Sequence, residues 1–459
     1  MPRLSSEQLA TGLVLTAVFV LASMAPAQSD TWWLIRTGQD IWQSGQIPVV
    51  DTYSHTIRGR PWPNHEWLTD VLFYSTYAVA GLPGLTLVCA TLIVVAWGLS
   101  WRLMTGSFEV RLSVFVASLV AAAGSWALRP QLTTMVCLVV TAWLLRDRRI
   151  WWLPPLFLIW ANFHAGVILG VVAIGVVGLV ETIRLRRVPI DLLAAGMLSA
   201  AATLATPLGF ELWHLLLSYG DGSRGEGIQE WMAPALPPEN LPFWAVVAAL
   251  VIGTAYRRRS FDVRTTRLVT IAFALLPLAL DAIRNIAIFL LIAAPAATAA
   301  LAAAKTSLPA PRDGDRSTTN AAVSAFAMTA ASILVAGMWW LPLDRLNWRP
   351  ISRETIAAVT QCSGPLYNTY DDGGALIWFV PTQPVFIDSR YDPYPVAFFH
   401  ENRHVEETGE YHNLFTRYGI QCALLRTSTP SEQALRNDPG WRVEHSDEKH
   451  TVLVRNHNP

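Results

Sequence analysis

Carboxylates, arginines and histidines crowd the stretch from Ser29 to Asp70. Asp30, Asp40, Asp51, Glu66, Asp70, Arg36, Arg58, Arg60, His55 and His65 fall there, interleaved with Trp32, Trp33, Trp42, Trp62 and Trp67. Long apolar segments flank this stretch on both sides. Charge is costly in hydrocarbon, so the stretch must occupy a membrane face or a wet cavity. An ionised carboxylate at such a face can take a proton from an acceptor hydroxyl while the bond to a phosphate leaving group breaks. A guanidinium, planar and rich in donors, is suited to neutralising the departing phosphate. Asp30, a few residues beyond the first apolar segment, is the leading candidate base, with Asp51 and Glu66 as further acids. Arg36, His65, Arg129 and Arg284 are the candidates for holding substrate.

Each candidate has a plainer reading. Asp30 is also a suitable N-cap for a helix beginning at Thr31, and Asp51, following Pro48, suits a turn. His65 and Glu66 could form only the polar start of an interfacial helix. Arg129 and Arg284 fall at the ends of apolar segments, where arginine snorkels without further function. Arg284 is spaced to pair with Asp281 along a helix. His164 fits a hydrogen-bonded structural role, Glu211 and His214 the wet face of an interfacial helix, and Trp231 an aromatic belt. Asp371, Asp372, Asp388, Arg390, Tyr391 and Asp392 cluster in sequence as turn and strand-end residues, with acceptor recognition as the functional alternative. Asp372-Gly373-Gly374 reads as a turn. Cys89 and Cys137 belong to apolar runs, whereas Cys362 and Cys422 lie in polar sequence and could pair in an oxidising compartment.

The elements that must position these groups are membrane helices. Of 459 residues, 52% are hydrophobic and 15% charged, with a mean hydropathy of +0.34, too apolar for a soluble multidomain chain. The 34 basic and 34 acidic residues balance, which removes any electrostatic case for nucleic acid. About 20 apolar residues cross a bilayer. On that rule about eleven spans fall near 9–27, 83–103, 112–128, 131–145, 151–162, 166–183, 190–207, 242–256, 266–280, 284–303 and 320–341. The fifth and sixth form a hairpin turning at 162–166, and 67–80 adds an interfacial helix. Arginine clusters at 146–149, 184–187 and 257–259, followed by Lys305, are separated by even numbers of spans, so all share the cytoplasmic side. The N-terminus is then cytoplasmic, and the first loop and the tail are external.

A transmembrane domain of 1–343, with its first outer loop at 28–70 and a Pro-, Ser- and Thr-rich cytoplasmic linker at 305–319, precedes a small extracytoplasmic α/β domain at 344–459. In that domain 365–368, 384–388 and 421–425 read as strands, 352–361 and 431–437 as helices, and 441–454 as a hairpin. Zinc spacing, a Walker loop, a dinucleotide-binding glycine fingerprint and fixed-period repeats are all missing from the sequence.

Asp30-Thr31-Trp32-Trp33 with Thr37-Gly38, Ile47-Pro48 with Asp51-Thr52-Tyr53-Ser54, and His65-Glu66-Trp67-Leu68 resemble a bacterial group of GT-C-like membrane proteins. Arg129-Pro130-Gln131-Leu132, the run Trp160 to Gly166, Arg284-Asn285-Ile286 and Phe386-Ile387-Asp388-Ser389-Arg390 fit the same group. The resemblance implies a polytopic α-helical GT-C fold in a bacterial cytoplasmic membrane. It further implies inverting transfer of a sugar from a polyprenyl-phosphate donor to an acceptor on the outer face, with Asp30 as base. Related branches carry an Asp-Glu pair where this chain has Asp30-Thr31. No cofactor is expected, and metal dependence varies within the superfamily. The competing expectations are a lipid-carrier or solute transporter, which would call for internal repeats and polar groups at mid-membrane, and a scaffold that keeps the fold without catalysis.

Overall fold

The computed structural model describes residues 6–218, 229–302, 318–338 and 346–456. The expected linker at 305–319 lies almost wholly outside them, as do Trp339 and Trp340. Two compact units emerge, one comprising 1–25 and 86–341, the other 26–85 and 342–459. The loop anticipated at 28–70 thus falls in the same unit as the C-terminal segment.

The first unit is helical. Each of the expected apolar segments contains helix in its described residues, and among the described residues five helices are long and apolar enough to cross a membrane: Trp67–Leu103, which begins in the second unit and is broken at Gly81, Phe108–Ser125, Val167–Leu185, Val263–Asp281 and Ile283–Ala302. Several others are shorter, including Gln131–Arg146 and Ile190–Ala202. Leu153–Phe163 and Val167–Leu185 form the expected hairpin. At the centre runs Ile286–Ala302, apolar on every side and buried from Ile286 through Ala300, as a helix without a polar face must be. It packs against Leu241–Arg257, Val263–Asp281, Phe108–Ala122 and Gln131–Arg146. Val120, Leu179, Ile183 and Met197 face outward, an apolar exterior that suits lipid better than water. Cys89 and Cys137 are buried and unpaired.

The second unit has a four-stranded sheet of β1 Leu366–Asn368, β2 Cys422–Arg426, β3 Trp441–Ser446 and β4 His450–Arg455, ordered β1-β2-β4-β3. β1 runs parallel to β2 and the remaining pairs are antiparallel. A parallel pair needs a long crossover, here supplied by helices Tyr370–Phe379, Val396–Thr408 and His412–Tyr418. Cys362 and Cys422 form a disulfide with a Cα–Cα distance of 6.0 Å.

Two expectations are corrected in this unit. Residues 384–388 form no strand of the sheet, because their backbone is taken by the first loop: Val385 N–H donates to the Tyr53 carbonyl and His55 N–H to the Val385 carbonyl, each at 3.0 Å. Ile57 from that loop joins Tyr367, Phe386, Phe398 and Phe415 in the core. Asp372-Gly373-Gly374 is not a turn but part of helix Tyr370–Phe379. The first loop and the C-terminal segment share one hydrophobic core within this unit.

Candidate functional site

Asp30 sits in the first turn of helix Ser29–Ser44 and does not cap it; Gln28 holds the N-cap position. The Gln28 N–H donates to Thr31 Oγ1 at 3.0 Å, so Thr31 closes the helix start. The half-buried Asp30 carboxylate accepts a hydrogen bond from Trp33 Nε1 at 3.3 Å. Negative charge in a first turn is favoured by the helix dipole.

What holds this helix start in place is the C-terminal segment. Gly374 N–H donates to Ser29 Oγ at 3.2 Å, and a Cβ at Gly374 would overlap the Ser29 carbonyl. Further along, a Cβ at Gly38 would overlap the Asp70 carbonyl. The helix is therefore clamped at two positions where only hydrogen fits. Trp32 packs on Phe379, with ring centroids 4.8 Å apart.

A polar cavity of about 380 Å³ borders this helix start, lined by Ser29, Trp32, Asp371, Asp372, Arg426 and His450 among others. Inside it Asp372 accepts from Thr369 Oγ1 at 2.6 Å and faces His450 Nε2 at 3.3 Å. Burial works against its charge, but His450 and Arg426 outweigh that and hold its carboxyl below the usual range. Arg426 also pairs with Asp371 at 3.2 Å. Donors, acceptors and one indole around a concavity are the wall chemistry that hydroxyl-rich ligands need.

The other loop candidates have partners. Arg36 pairs with Asp40 at 3.0 Å, and Asp40 also accepts from the Tyr53 hydroxyl at 2.7 Å. His65 lies between Glu66 (Nε2 to Oε1, 3.1 Å) and Asp392 (Nδ1 to Oδ2, 3.4 Å). Burial alone would keep this imidazole neutral, but the flanking carboxylates dominate and raise its pKa to about 9. Asp51 has no exposed surface. One of its oxygens binds Arg390 Nη2 at 2.5 Å and the other accepts from Ser54 Oγ at 2.7 Å. Arg390 in turn grips Asp388 through Nε at 2.8 Å and Nη2 at 2.7 Å, and lies against the rings of Trp62 and Tyr53. With both oxygens enclosed, Asp51 fastens the loop to the C-terminal segment and presents no face to a substrate.

In the first unit the structure brings Arg129 and Arg284 together on one carboxylate that the sequence did not single out. Arg129 Nη1 meets Glu230 Oε2 at 2.5 Å and Arg284 Nη1 meets Oε1 at 3.3 Å. Arg284 also lies 4.4 Å above the Trp231 ring, and its carbonyl accepts from Gln131 Nε2 at 3.0 Å. The expected Arg284–Asp281 pair does not form, because the chain leaves the helix at Ala282, whose backbone is extended. Burial opposes charge on Glu230, yet the two arginines hold its carboxyl below the normal range. No sequence signal marked Glu230, which sits in the short helical turn Gln229–Trp231. His164 is structural, with Nδ1 bonded to Thr134 Oγ1 and to Gly166 N–H. Among the described residues no group of three or more His, Cys, Asp or Glu side chains is placed to hold a metal ion.

No protein-family model and no curated protein matches the chain. Solved structures do. The chain is similar to ArnT from Cupriavidus metallidurans in the apo state, with 14% identity over 97% of this chain and 96% of that one, and a TM-score of 0.50. ArnT bound to undecaprenyl phosphate aligns at 15% identity over the same shares, with a TM-score of 0.48. The archaeal oligosaccharyltransferase AglB from Archaeoglobus fulgidus, in complex with an inhibitory peptide and a dolichol-phosphate, aligns at 11% identity over 90% of this chain and 69% of that one, with a TM-score of 0.48.

Proposed function

Because this chain has the fold of the GT-C membrane glycosyltransferases, we propose that it moves a sugar from a polyprenyl-phosphate carrier to an acceptor at the outer face of a bacterial cytoplasmic membrane. The observation that carries this reading is the convergence of Arg129 and Arg284 on a single carboxylate. Two guanidiniums around one anion, with an indole beneath one of them, form a phosphate-type site, and Glu230 occupies it as a resting counter-ion. ArnT, seen with undecaprenyl phosphate, suggests the class of donor. Asp30 serves as general base. It takes the proton of the acceptor hydroxyl as that oxygen attacks the anomeric carbon, and the bonding pair of the broken C–O bond leaves on the carrier phosphate. The acceptor is assigned to the polar cavity beside Ser29, with Glu66 and His65 as a charged pair that orders the loop. Arg36 helps to hold the substrate.

The test is transfer of labelled sugar from a polyprenyl-phosphate donor in membranes. Asp30→Asn is expected to lose about 10²- to 10⁴-fold in rate while still retaining the donor, and Arg284→Gln to raise the donor KM. Transfer by Asp30→Asn at the unaltered rate would remove Asp30 from the role of base.

A further inference from the structure

We propose that a second, arginine-lined cavity in the first unit binds the phosphate of an anionic glycerolipid headgroup. The cavity, of about 380 Å³, lies where three helices end or begin: Val167–Leu185, Leu241–Arg257 and Val263–Asp281. Its polar wall is Arg184, Arg258, Arg259, Thr254, Thr266 and Thr270, and Phe261 and Val269 close the apolar side. Among the described residues no carboxylate lines it.

The acids nearby are committed elsewhere. Glu181 is held by Arg267 at 2.6 Å, and Asp147 lies near Arg146 and Arg264 at 3.7 and 3.8 Å. Asp262 caps its helix by accepting from Thr265 N–H at 2.8 Å. Among the described residues Arg184, Arg258 and Arg259 make no ion pair. Arg184 is pinned by the Phe261 carbonyl at 2.7 Å and by Thr266 Oγ1, so one guanidinium is already fixed at the rim. The other two stand on the exposed turn Arg258–Ser260.

Retaining a loop on one side of a membrane requires only that basic residues be present. It does not require them to converge on a concavity lined with hydroxyls. Convergence is what a phosphodiester needs: bidentate guanidinium donors, hydroxyls for the remaining oxygens, and apolar helix flanks along which acyl chains run. The cavity lies at the ends of two helices that qualify as membrane spans, the depth at which a headgroup phosphate sits.

The full-length protein, purified in a neutral detergent, is titrated with phosphatidylglycerol or phosphatidylcholine and the bound lipid is read by native mass spectrometry. Phosphatidylglycerol should be retained at least about tenfold more tightly than phosphatidylcholine. The double variant Arg258→Gln/Arg259→Gln should weaken its binding roughly 30-fold, about fivefold for each basic residue at a membrane surface. Arg186→Gln/Arg187→Gln, which removes two exposed arginines outside the cavity, should bind as wild type does. Equal retention of the two lipids, equal losses in the two double variants, or full displacement of phosphatidylglycerol by inorganic phosphate would each overturn the proposal. The last of these would identify a site for free anions.

Discussion

Replacing Arg390 with Met tests whether Asp51 and Asp388 are structural ions. Arg390 has no exposed side-chain surface, and neither has Asp51. The substitution removes three charge-assisted hydrogen bonds, from Nη2 to Asp51 Oδ1 and from Nε and Nη2 to Asp388. It also leaves two buried carboxylates without their cation. Deleting one partner of a buried pair costs about 3–5 kcal/mol, chiefly through the uncompensated charge left behind. For a folding unit of this size each kcal/mol lowers Tm by roughly 2–4 °C, so Arg390→Met should melt about 10 °C lower. Met fills much of the space over the Trp62 and Tyr53 rings, so cavity formation contributes little. The informative companion is the triple variant Asp51→Asn/Asp388→Asn/Arg390→Met, in which no charge is stranded; it should regain most of the loss. Thermal melts of the purified proteins, followed by near-ultraviolet circular dichroism, measure both, alongside sugar transfer per folded molecule. If Arg390→Met melted within about 2 °C of wild type and yet abolished transfer, the fastening role assigned to this network would be refuted and a role at the substrate would replace it.

Two further outcomes follow from the loop's other anchors. Gly374→Ala places a methyl group against the Ser29 carbonyl and should lower both Tm and sugar transfer, at a cost of about 1–3 kcal/mol in overpacking. Gly175→Ala, with nothing within 4 Å of the added carbon, should be neutral or mildly stabilising; equal effects at the two sites would disprove the clamp. Because the pKa of His65 rises to about 9 on folding from an ordinary 6.5, its contribution is complete below about pH 6.5 and is lost as pH rises through 9. Denaturant unfolding at pH 6, 8 and 10 should therefore show wild type losing up to about 3 kcal/mol more than His65→Gln across that range, whereas parallel declines would mean that His65 is not charged between Glu66 and Asp392.

The amino-acid sequence by itself determined the apolar helices, the hairpin turning at 162–166, the helices near 352–361 and 431–437 and the final β-hairpin. Each is encoded by neighbours a few residues apart, through apolar runs, capping residues and strand alternation. It also marked Asp30, Arg129 and Arg284 as groups out of place in an apolar chain. Tertiary structure alone decided what those groups meet. Glu230 lies 101 residues from Arg129 and 54 from Arg284, and Arg390 lies 339 residues from Asp51. Similarly, the strand expected at 384–388 was lost to backbone pairing with Tyr53 and His55 in the first loop. Local periodicity fixes the conformation of a segment, but a buried ion pair is chosen by where the chain path brings two distant charges out of water together.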